Sequence, residues 1–262
     1  MEEPSVPISE RQLFGLDGKV ALVTGASKGI GEEIARLYAR FGARVVVSSR
    51  RQSSVELVAA GIRKAGGEAT GIAAHIGDSD QLRHLVDRTV ALYGGIDILV
   101  NNAATNPVFG PAVDCSSVAF DKIMQVNVKA AFELAKMVFP VMKKQGRGSI
   151  IMMSSIAGQT PDPGLGIYSV SKAALNMLTK VLAREWGPDG IRVNAICPGL
   201  IKTKFSQALW DDEAILGRFV NHLPIPRMGS VEEISPLALF LASEASSYCT
   251  GSFFYADGGT NI

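Results

Sequence analysis

The chain has 262 residues, a length that one large hydrophobic core can serve, and 47% apolar against 19% charged residues indicates a folded globular protein. Lys and Arg number 26 and Asp and Glu number 25, so the formal net charge is +1. A chain so nearly neutral has no overall field that attracts nucleic acid or an anionic membrane. We therefore expect neither as a partner.

Cysteine spacing and the N-terminal segment exclude further classes. Cys115, Cys197 and Cys249 stand alone, which favours neither a disulfide framework nor a zinc site, so no metal is expected. Residues 1–18 are predicted to be an N-terminal extension, whose acidic start has no apolar signal region. Nowhere do about 18 apolar residues run together, as a membrane span requires. The expected location is the cytoplasm.

Short β-branched runs alternate with segments of helical period over residues 19–262. Helical patterns follow Ser79 and Ser117, which are candidate N-caps, and the second pattern continues without a break to Val138. Continuous apolar strands that alternate with helices require right-handed crossovers. We therefore predict a single α/β domain, a seven-stranded parallel, doubly wound sheet with helices on both faces. The predicted strands are residues 20–23, 45–47, 72–74, 98–100, 149–153, 193–196 and 252–255.

One segment interrupts the alternation, at about residues 199–228. It carries Phe205, Trp210 and Phe219 among other apolar side chains and is closed by Pro224 and Pro226. We interpret this segment, the insertion, as a lid over a substrate site. Its apolar side chains predict a small-molecule substrate with an apolar part.

A glycine-rich loop, residues 24–31, joins the first strand to the first helix. Glycines let the backbone approach a phosphate, and a helix N-terminus offers unpaired N–H groups to it. Nucleotide binding is favoured over a plain strand-to-helix turn. Residues 25–29 also match the Gly-x-Ser-x-Gly nucleophile elbow, which would make Ser27 the nucleophile of a serine hydrolase. Such an elbow normally follows several strands, and the only histidine well downstream, His222, lies in the insertion.

The second strand ends in Ser48, Ser49, Arg50 and Arg51, where an NAD site would have Asp or Glu to bind the ribose 2′-hydroxyl. Guanidinium and hydroxyl donors suit a 2′-phosphate, and Lys28 adds a cation. The pattern favours NADP(H). A solvated strand end and a preference for NAD(H) remain the alternatives.

Three residues suggest acid–base chemistry. Tyr168 and Lys172 lie four apart on a predicted helix and share a face, and an ammonium beside a phenol is expected to lower the phenol pKa. Ser155 ends a predicted strand at the sheet edge where α/β folds bind ligands, so its hydroxyl could hold a carbonyl oxygen. Asn127 lies on an apolar helix stripe, where a structural hydrogen bond and a functional role are both open.

Taken together, these features resemble the classical short-chain dehydrogenase/reductase family from Lys19 to about Gly259, and most closely its NADPH-dependent carbonyl and retinal reductases. The motifs that carry the resemblance are residues 24–31, Asn101 to Ala104, Ser155, Tyr168 with Lys172, and Pro198-Gly199. The resemblance implies a Rossmann fold in which Tyr168 donates or accepts the proton, Ser155 orients the carbonyl, and Lys172 binds the nicotinamide ribose. It makes Asn127 the structural member of a catalytic tetrad and implies a homotetramer built through residues 120–142 and 168–186.

The predicted activity is hydride transfer between NADP(H) and a ketone, an aldehyde or a secondary alcohol. A non-catalytic dinucleotide-binding protein is the remaining alternative. The sequence departs from the family at Ala104, usually Gly, and at His75, often Asp. The predicted cofactor-binding residues are Gly25, Ser27, Lys28, Gly29, Ile30, Gly31, Ser49, Arg50, Arg51, His75, Ile76, Asn102, Ala103, Ala104, Tyr168, Lys172, Pro198, Gly199, Ile201 and Thr203.

Overall fold

A computed structural model describes residues 13–262, except the side chain of Ile215. The acidic first residues, and with them most of the predicted N-terminal extension, lie outside the described residues. The division of the chain at residues 18 and 19 therefore stays a prediction. The strands are β1 Val20–Thr24, β2 Arg44–Ser49, β3 Glu68–Ala73, β4 Ile98–Asn101, β5 Gly148–Met153, β6 Ile191–Pro198 and β7 Phe253–Ala256.

Eight α-helices of the described region connect or follow these strands. They are α1 Gly29–Arg40, α2 Gln52–Lys64, α3 Ser79–Tyr93, α4 Ser117–Met124, α5 Ala130–Gln145, α6 Gly166–Trp186, α7 Glu213–Val220 and α8 Ser235–Ala242. No helix within residues 13–262 has both the length and the apolar composition needed to cross a membrane.

All seven strands are parallel and form one sheet in the order β3-β2-β1-β4-β5-β6-β7. Every residue of β1 and β4 is buried, because both faces of the sheet are covered. The strand order reverses between β1 and β4, and in such sheets ligands bind outside the carboxyl ends of the strands at this point. The predicted α/β fold, with its seven-stranded parallel sheet, is confirmed.

Two apolar cores hold the layers together. On one face, α1, α2 and α8 pack on the sheet through side chains such as Ile34, Val58 and Leu241. On the other, α3, α5 and α6 pack through side chains such as Leu85 and Leu134. The helices therefore cover both faces, as predicted.

The structure corrects three local expectations. The continuous helix expected up to Val138 is broken by a π turn, Gln125–Lys129, between α4 and α5. The side chains that cap α3 and α4 belong to Asp78 and Ser116, one residue before the serines expected, and each accepts hydrogen bonds from N–H groups of the first turn. Spacing alone locates a helix start only to within a residue or two.

The insertion begins and ends beside β6. Ile201 pairs in parallel with Gly229, so the two ends of the segment are held together. Inside it, a short 3₁₀ turn at Gln207–Leu209 precedes α7, and the indole N–H of Trp210 donates to the carbonyl of Thr203 at 3.2 Å. The segment therefore has ordered structure of its own.

Candidate active site

A cavity of about 760 Å³ opens at the carboxyl ends of the strands. Ser155, Tyr168 and Lys172 line it together with every predicted cofactor-binding residue except Gly31. Asn127 and Gly31 do not line the cavity, so both residues lie behind its wall. The fold thus gathers into one cavity predicted site residues that are far apart in the chain, from Gly25 to Thr203.

The glycine loop has a backbone that only glycine adopts readily. Gly25 and Gly29 have φ of +62° and +63°, in the left-handed region. A Cβ atom at Gly25 would lie 2.8 Å from the Cα of Ala103, and one at Gly31 would lie 2.7 Å from the carbonyl oxygen of Gly25. At Gly25 and Gly31 the loop therefore packs so closely on its surroundings that there is no room for a side chain.

Asn102 fastens this loop to the sheet. Its amide nitrogen Nδ2 donates to the carbonyl oxygens of Thr24 at 2.9 Å and of Gly25 at 3.2 Å. The Thr24 hydroxyl in turn accepts from the backbone N–H groups of Asn102 and Ala103. Asn102 also lines the cavity, so one side chain shapes the loop and borders the space beside it.

The loop and the end of β2 suit a dinucleotide. Lys28 is the N-cap residue of α1, and its side chain makes no capping bond, so the first N–H groups of the helix keep no side-chain acceptor. Exposed Arg50 and Arg51 line the same cavity, beside Ser49. No carboxylate stands between residues 48 and 51 to repel a 2′-phosphate. The residues present therefore fit a nucleotide cofactor of the NAD(P) type.

Ser27 has a different neighbour from the one a hydrolase needs. Its hydroxyl donates to the Ser49 hydroxyl at 3.1 Å, which joins the glycine loop to the end of β2. A hydrolase nucleophile requires a histidine base within hydrogen-bonding reach. The contact of Ser27 thus supports a structural role in the loop.

Ser155, Tyr168 and Lys172 border the cavity from two elements. Ser155 follows β5, and its Oγ accepts from the N–H of Ala157 at 3.1 Å. Tyr168 and Lys172 lie on α6, with Lys172 Nζ 5.4 Å from the centre of the Tyr168 ring. Lys172 Nζ donates to the carbonyl oxygen of Met153 at 2.7 Å, which holds the ammonium at the end of β5.

The electrostatics differ from the sequence expectation. Burial raises the pKa of Tyr168 to about 12, although a hydrogen bond with Ser155 acts in the opposite direction. Burial also lowers the pKa of Lys172 to about 8. The expected lowering of the Tyr168 pKa is therefore wrong for this structure, because loss of water outweighs the hydrogen bond with Ser155.

Asn127 lies in the π turn and is 2% exposed. Its Oδ1 accepts from the N–H of Thr105 at 2.8 Å, and its Nδ2 donates to the Thr105 carbonyl at 2.9 Å and to Ser171 Oγ at 3.0 Å. Ser171 Oγ donates to the carbonyl of Tyr168. Of the two interpretations left open, structural hydrogen bonding is the one these contacts support: Asn127 joins the segment after β4 to α6.

Sequence reasoning missed a second polar link under the site. Ser154 Oγ donates to Asn176 Oδ1 at 2.6 Å, and Asn176 Nδ2 donates to the carbonyl of Gly158. The position of Asn176, four residues after Lys172 on one helix face, is the signal that could have revealed it. Together the Asn127 and Asn176 contacts set α6 against the ends of β4 and β5.

Apolar side chains line the cavity near Tyr168. The Phe205 ring of the insertion lies 6.2 Å from the Tyr168 ring, centre to centre. Phe109, Leu165, Leu209 and Phe219 line the same space. Cavity residues that sequence reasoning did not single out include Ser54, Thr105, Lys122, Val126 and Lys204. Lys122 and Val126 lie four positions apart, a spacing that could have placed them on one face.

This fold and cavity define a class of enzyme, and comparison with known proteins agrees with it. The chain belongs to the short-chain dehydrogenase/reductase family of oxidoreductases. Residues 25–261 match a model of this family described as enoyl-(acyl carrier protein) reductase.

Individual relatives show the same family. The chain is 47% identical over 245 residues to dehydrogenase/reductase SDR family member 4 of Sus scrofa, covering 94% of this chain and 88% of that protein. It is 41% identical over 247 residues to the Caenorhabditis elegans protein of the same name, covering 93% of this chain and 95% of that protein.

Solved structures extend the comparison. A 7α-hydroxysteroid dehydrogenase complexed with NADH and 7-oxo glycochenodeoxycholic acid superposes with a TM-score of 0.92 at 35% identity, over 96% of this chain and 97% of that one. A gluconate 5-dehydrogenase from Burkholderia cenocepacia J2315, in complex with NADP and tartrate, gives a TM-score of 0.92 at 33% identity. The match covers 95% of this chain and 98% of that one. Structural relatives in this family thus bind NADH or NADP.

Proposed function

We propose that the protein is an NADP(H)-dependent oxidoreductase that acts on a ketone or aldehyde, or in reverse on a secondary alcohol. The observation that carries the proposal is that Ser155, Tyr168 and Lys172 border the same cavity as the glycine loop and Arg50. The bound cofactor would supply or accept the hydride, and the residues predicted to hold it are those of the glycine loop, the end of β2 and the segment after β4.

Tyr168 serves as the proton donor in reduction. A phenol whose pKa is raised to about 12 keeps its proton at neutral pH. It is therefore in the protonated form that a donor to the carbonyl oxygen must have. Ser155 holds that oxygen, and Lys172 supplies positive charge 5.4 Å from the ring centre. In oxidation the same phenol must first lose its proton, which the loss of water around it disfavours.

The preference for NADP(H) over NAD(H) rests on the end of β2. Lys28, Arg50 and Arg51 supply three cations to this end of the cavity, and residues 48–51 contain no acidic side chain. His75, another expected cofactor contact, lines the cavity, and its Nδ1 accepts from the N–H of Gly77 at 3.1 Å. An NAD(H)-preferring dehydrogenase remains the rival, since the similar 7α-hydroxysteroid dehydrogenase is complexed with NADH.

We further propose a homotetramer assembled through α4, α5 and α6, located in the cytoplasm. Support for the assembly comes from apolar side chains that α4 and α6 leave exposed, namely Val118, Phe120, Val170, Met177 and Val181. The insertion serves as the lid of the substrate side, supported by the contact of Phe205 with Tyr168.

Replacing Tyr168 with Phe tests the assignment of the proton donor. We expect turnover of a ketone to fall by about 100-fold or more, while NADPH binding followed by fluorescence stays within about twofold. Tyr248→Phe is the matched control, because Tyr248 is fully exposed and lies away from the cavity. Normal turnover by the Tyr168→Phe enzyme would refute the assignment.

The cofactor preference is tested by comparing kcat/KM for NADPH and NADH. We expect NADPH to be favoured by at least about tenfold, and the double variant Arg50→Ala/Arg51→Ala to lose most of that ratio, because guanidinium groups bind phosphate strongly. Arg88→Ala, an exposed position on α3 outside the cavity, is the control. If NADH is preferred tenfold, the roles given to Arg50 and Lys28 are wrong.

A further inference from the structure

A stiff turn holds Asp162 at the wall of the cavity. The carbonyl oxygen of Asp162 accepts from the N–H of Leu165 at 3.0 Å, which closes a four-residue turn. Pro163 occupies the second position and Gly164, with φ of +86°, the third, as a type II turn requires. Pro161 restricts the chain on the other side. The backbone that carries this carboxylate therefore has little freedom.

A second contact fixes the turn against the rest of the cavity wall. The N–H of Gly110 donates to the carbonyl of Gly164 at 3.1 Å. A Cβ atom at Gly164 would lie 3.0 Å from the Phe109 ring, so the ring packs directly on the turn. Asp162 stands six residues before Tyr168, and both residues line the cavity with Leu165 and Phe109.

The carboxylate lacks a partner of its own. Within residues 13–262 no donor forms a hydrogen bond with its carboxylate oxygens, and the only titratable side chain that acts on it is the exposed His222 of the insertion. Burial raises the pKa of Asp162, because the ionised group has lost part of its water, and His222 acts in the opposite direction. A donor group on a ligand would replace the missing water.

Asp162 also differs in sign from the other charged groups of the cavity. It is the only acidic residue among the cavity-lining residues of the described region, and a carboxylate would repel a cofactor phosphate. The turn that carries it packs on the apolar Phe109 ring, so its position suits the substrate side. The cations that line the cavity are Lys28, Arg50, Arg51, Lys122, Lys172 and Lys204.

We propose that Asp162 is a specificity-determining residue that accepts a hydrogen bond from the substrate. The substrate class is then an apolar ketone or aldehyde that carries a hydroxyl or ammonium group away from its carbonyl. This inference rests on the proposed carbonyl reductase function and refines its substrate side. Hydroxyl and ammonium donors share the chemistry that an anchored carboxylate recognises.

The test uses three ketones of nearly equal shape, which are 4′-ethyl-, 4′-(hydroxymethyl)- and 4′-(aminomethyl)acetophenone, and the same three substituents on a longer 4-acetylbiphenyl. Each is assayed with NADPH and wild-type enzyme, Asp162→Asn and Asp114→Asn. Asp114 is exposed and lies outside the cavity, so its variant controls for loss of one carboxylate. Asp162→Ser is a second variant that controls for effects specific to the Asn side chain. Thermal unfolding of all variants shows whether each one is folded.

On at least one scaffold, we expect wild-type kcat/KM to be about tenfold higher for a donor-bearing ketone than for its ethyl counterpart, as a hydrogen bond to a charged group would give. In Asp162→Asn this ratio should fall to near one for the ammonium compound, mainly through KM, and fall less for the hydroxymethyl compound because the amide still accepts. Asp114→Asn should keep the wild-type ratio.

Two results overturn the inference alone: ethyl ketones preferred by wild type on both scaffolds, or an unchanged ratio in folded Asp162→Asn and Asp162→Ser. If wild-type enzyme binds NADPH but reduces none of the six ketones, the proposed function fails and the inference fails with it. Turnover of the ethyl ketones thus separates the two failures.

Discussion

At the scale of single residues, Lys172 shows how burial sets the chemistry of the site. Its side chain is 2% exposed, and its ammonium is held by the carbonyl of Met153 and lies near the Tyr168 ring. No salt bridge to a carboxylate compensates this ammonium within the described residues. A buried ammonium without a counter-charge has a higher free energy than the same group in water. The charged form is therefore disfavoured, which is why the pKa of Lys172 falls to about 8.

The lowered pKa of Lys172 predicts a pH dependence of stability. Between pH 8 and 10.5 this lysine keeps its proton in the unfolded chain but not in the folded chain. The free energy of unfolding therefore rises with pH in this window, by up to about 1.4 kcal/mol per pH unit. Urea unfolding across this window should show the free energy of unfolding of wild type rising relative to that of Lys172→Met as the pH rises. Parallel profiles would contradict the lowered pKa.

At the scale of elements, two irregular features do more for the site than the regular ones. The π turn sets Asn127 where its amide spans both backbone groups of Thr105, and a regular helix would rotate that amide away. The glycine loop packs against Asn102 so closely that no side chain fits at Gly25 or Gly31. Both features hold the segment after β4, which borders the cavity, in one position.

Gly31→Ala tests this packing. The added methyl group would meet the Gly25 carbonyl and the Asn102 amide, so the loop must shift, and we expect the Kd for NADPH to rise at least tenfold. Helix α1 should persist, since its buried stripe through Ile34 and Tyr38 is untouched. Gly187→Ala is the control, because that glycine has a helical φ of −55° and no atom within 4 Å of the added carbon. Equal Kd values in both variants would show that the loop tolerates a side chain.

At the scale of the whole molecule, the parallel sheet brings the site together. Because every strand points the same way, the carboxyl ends of β1, β2, β4, β5 and β6 meet at one edge, and each is followed by a segment that lines the cavity. Long-range bonds keep the layers in place: the buried Tyr38 hydroxyl of α1 donates to the Ala238 carbonyl of α8 at 2.8 Å, across 200 residues of chain. Side chains of the insertion, such as Phe205 and Phe219, line the cavity on the side of β6.

The order of residues along the chain was enough to predict the regular elements and the family. Strand and helix periods depend on neighbouring residues, so all seven predicted strands overlap the observed ones, and the spacing of Tyr168 and Lys172 placed both on one helix face. Motifs in the correct order were sufficient to identify the family, which the comparisons confirm. The roles of the individual site residues stay predictions.

The pKa values and hydrogen bonds of the site depend on contacts between distant segments, which the fold creates. Water excluded by distant segments reversed the expected direction of the Tyr168 pKa, partners far along the chain gave Asn127 its bonds, and the Phe109 ring fixed the turn that carries Asp162. Local spacing cannot reveal these features, because burial and hydrogen-bond partners depend on which distant residues the fold brings into contact.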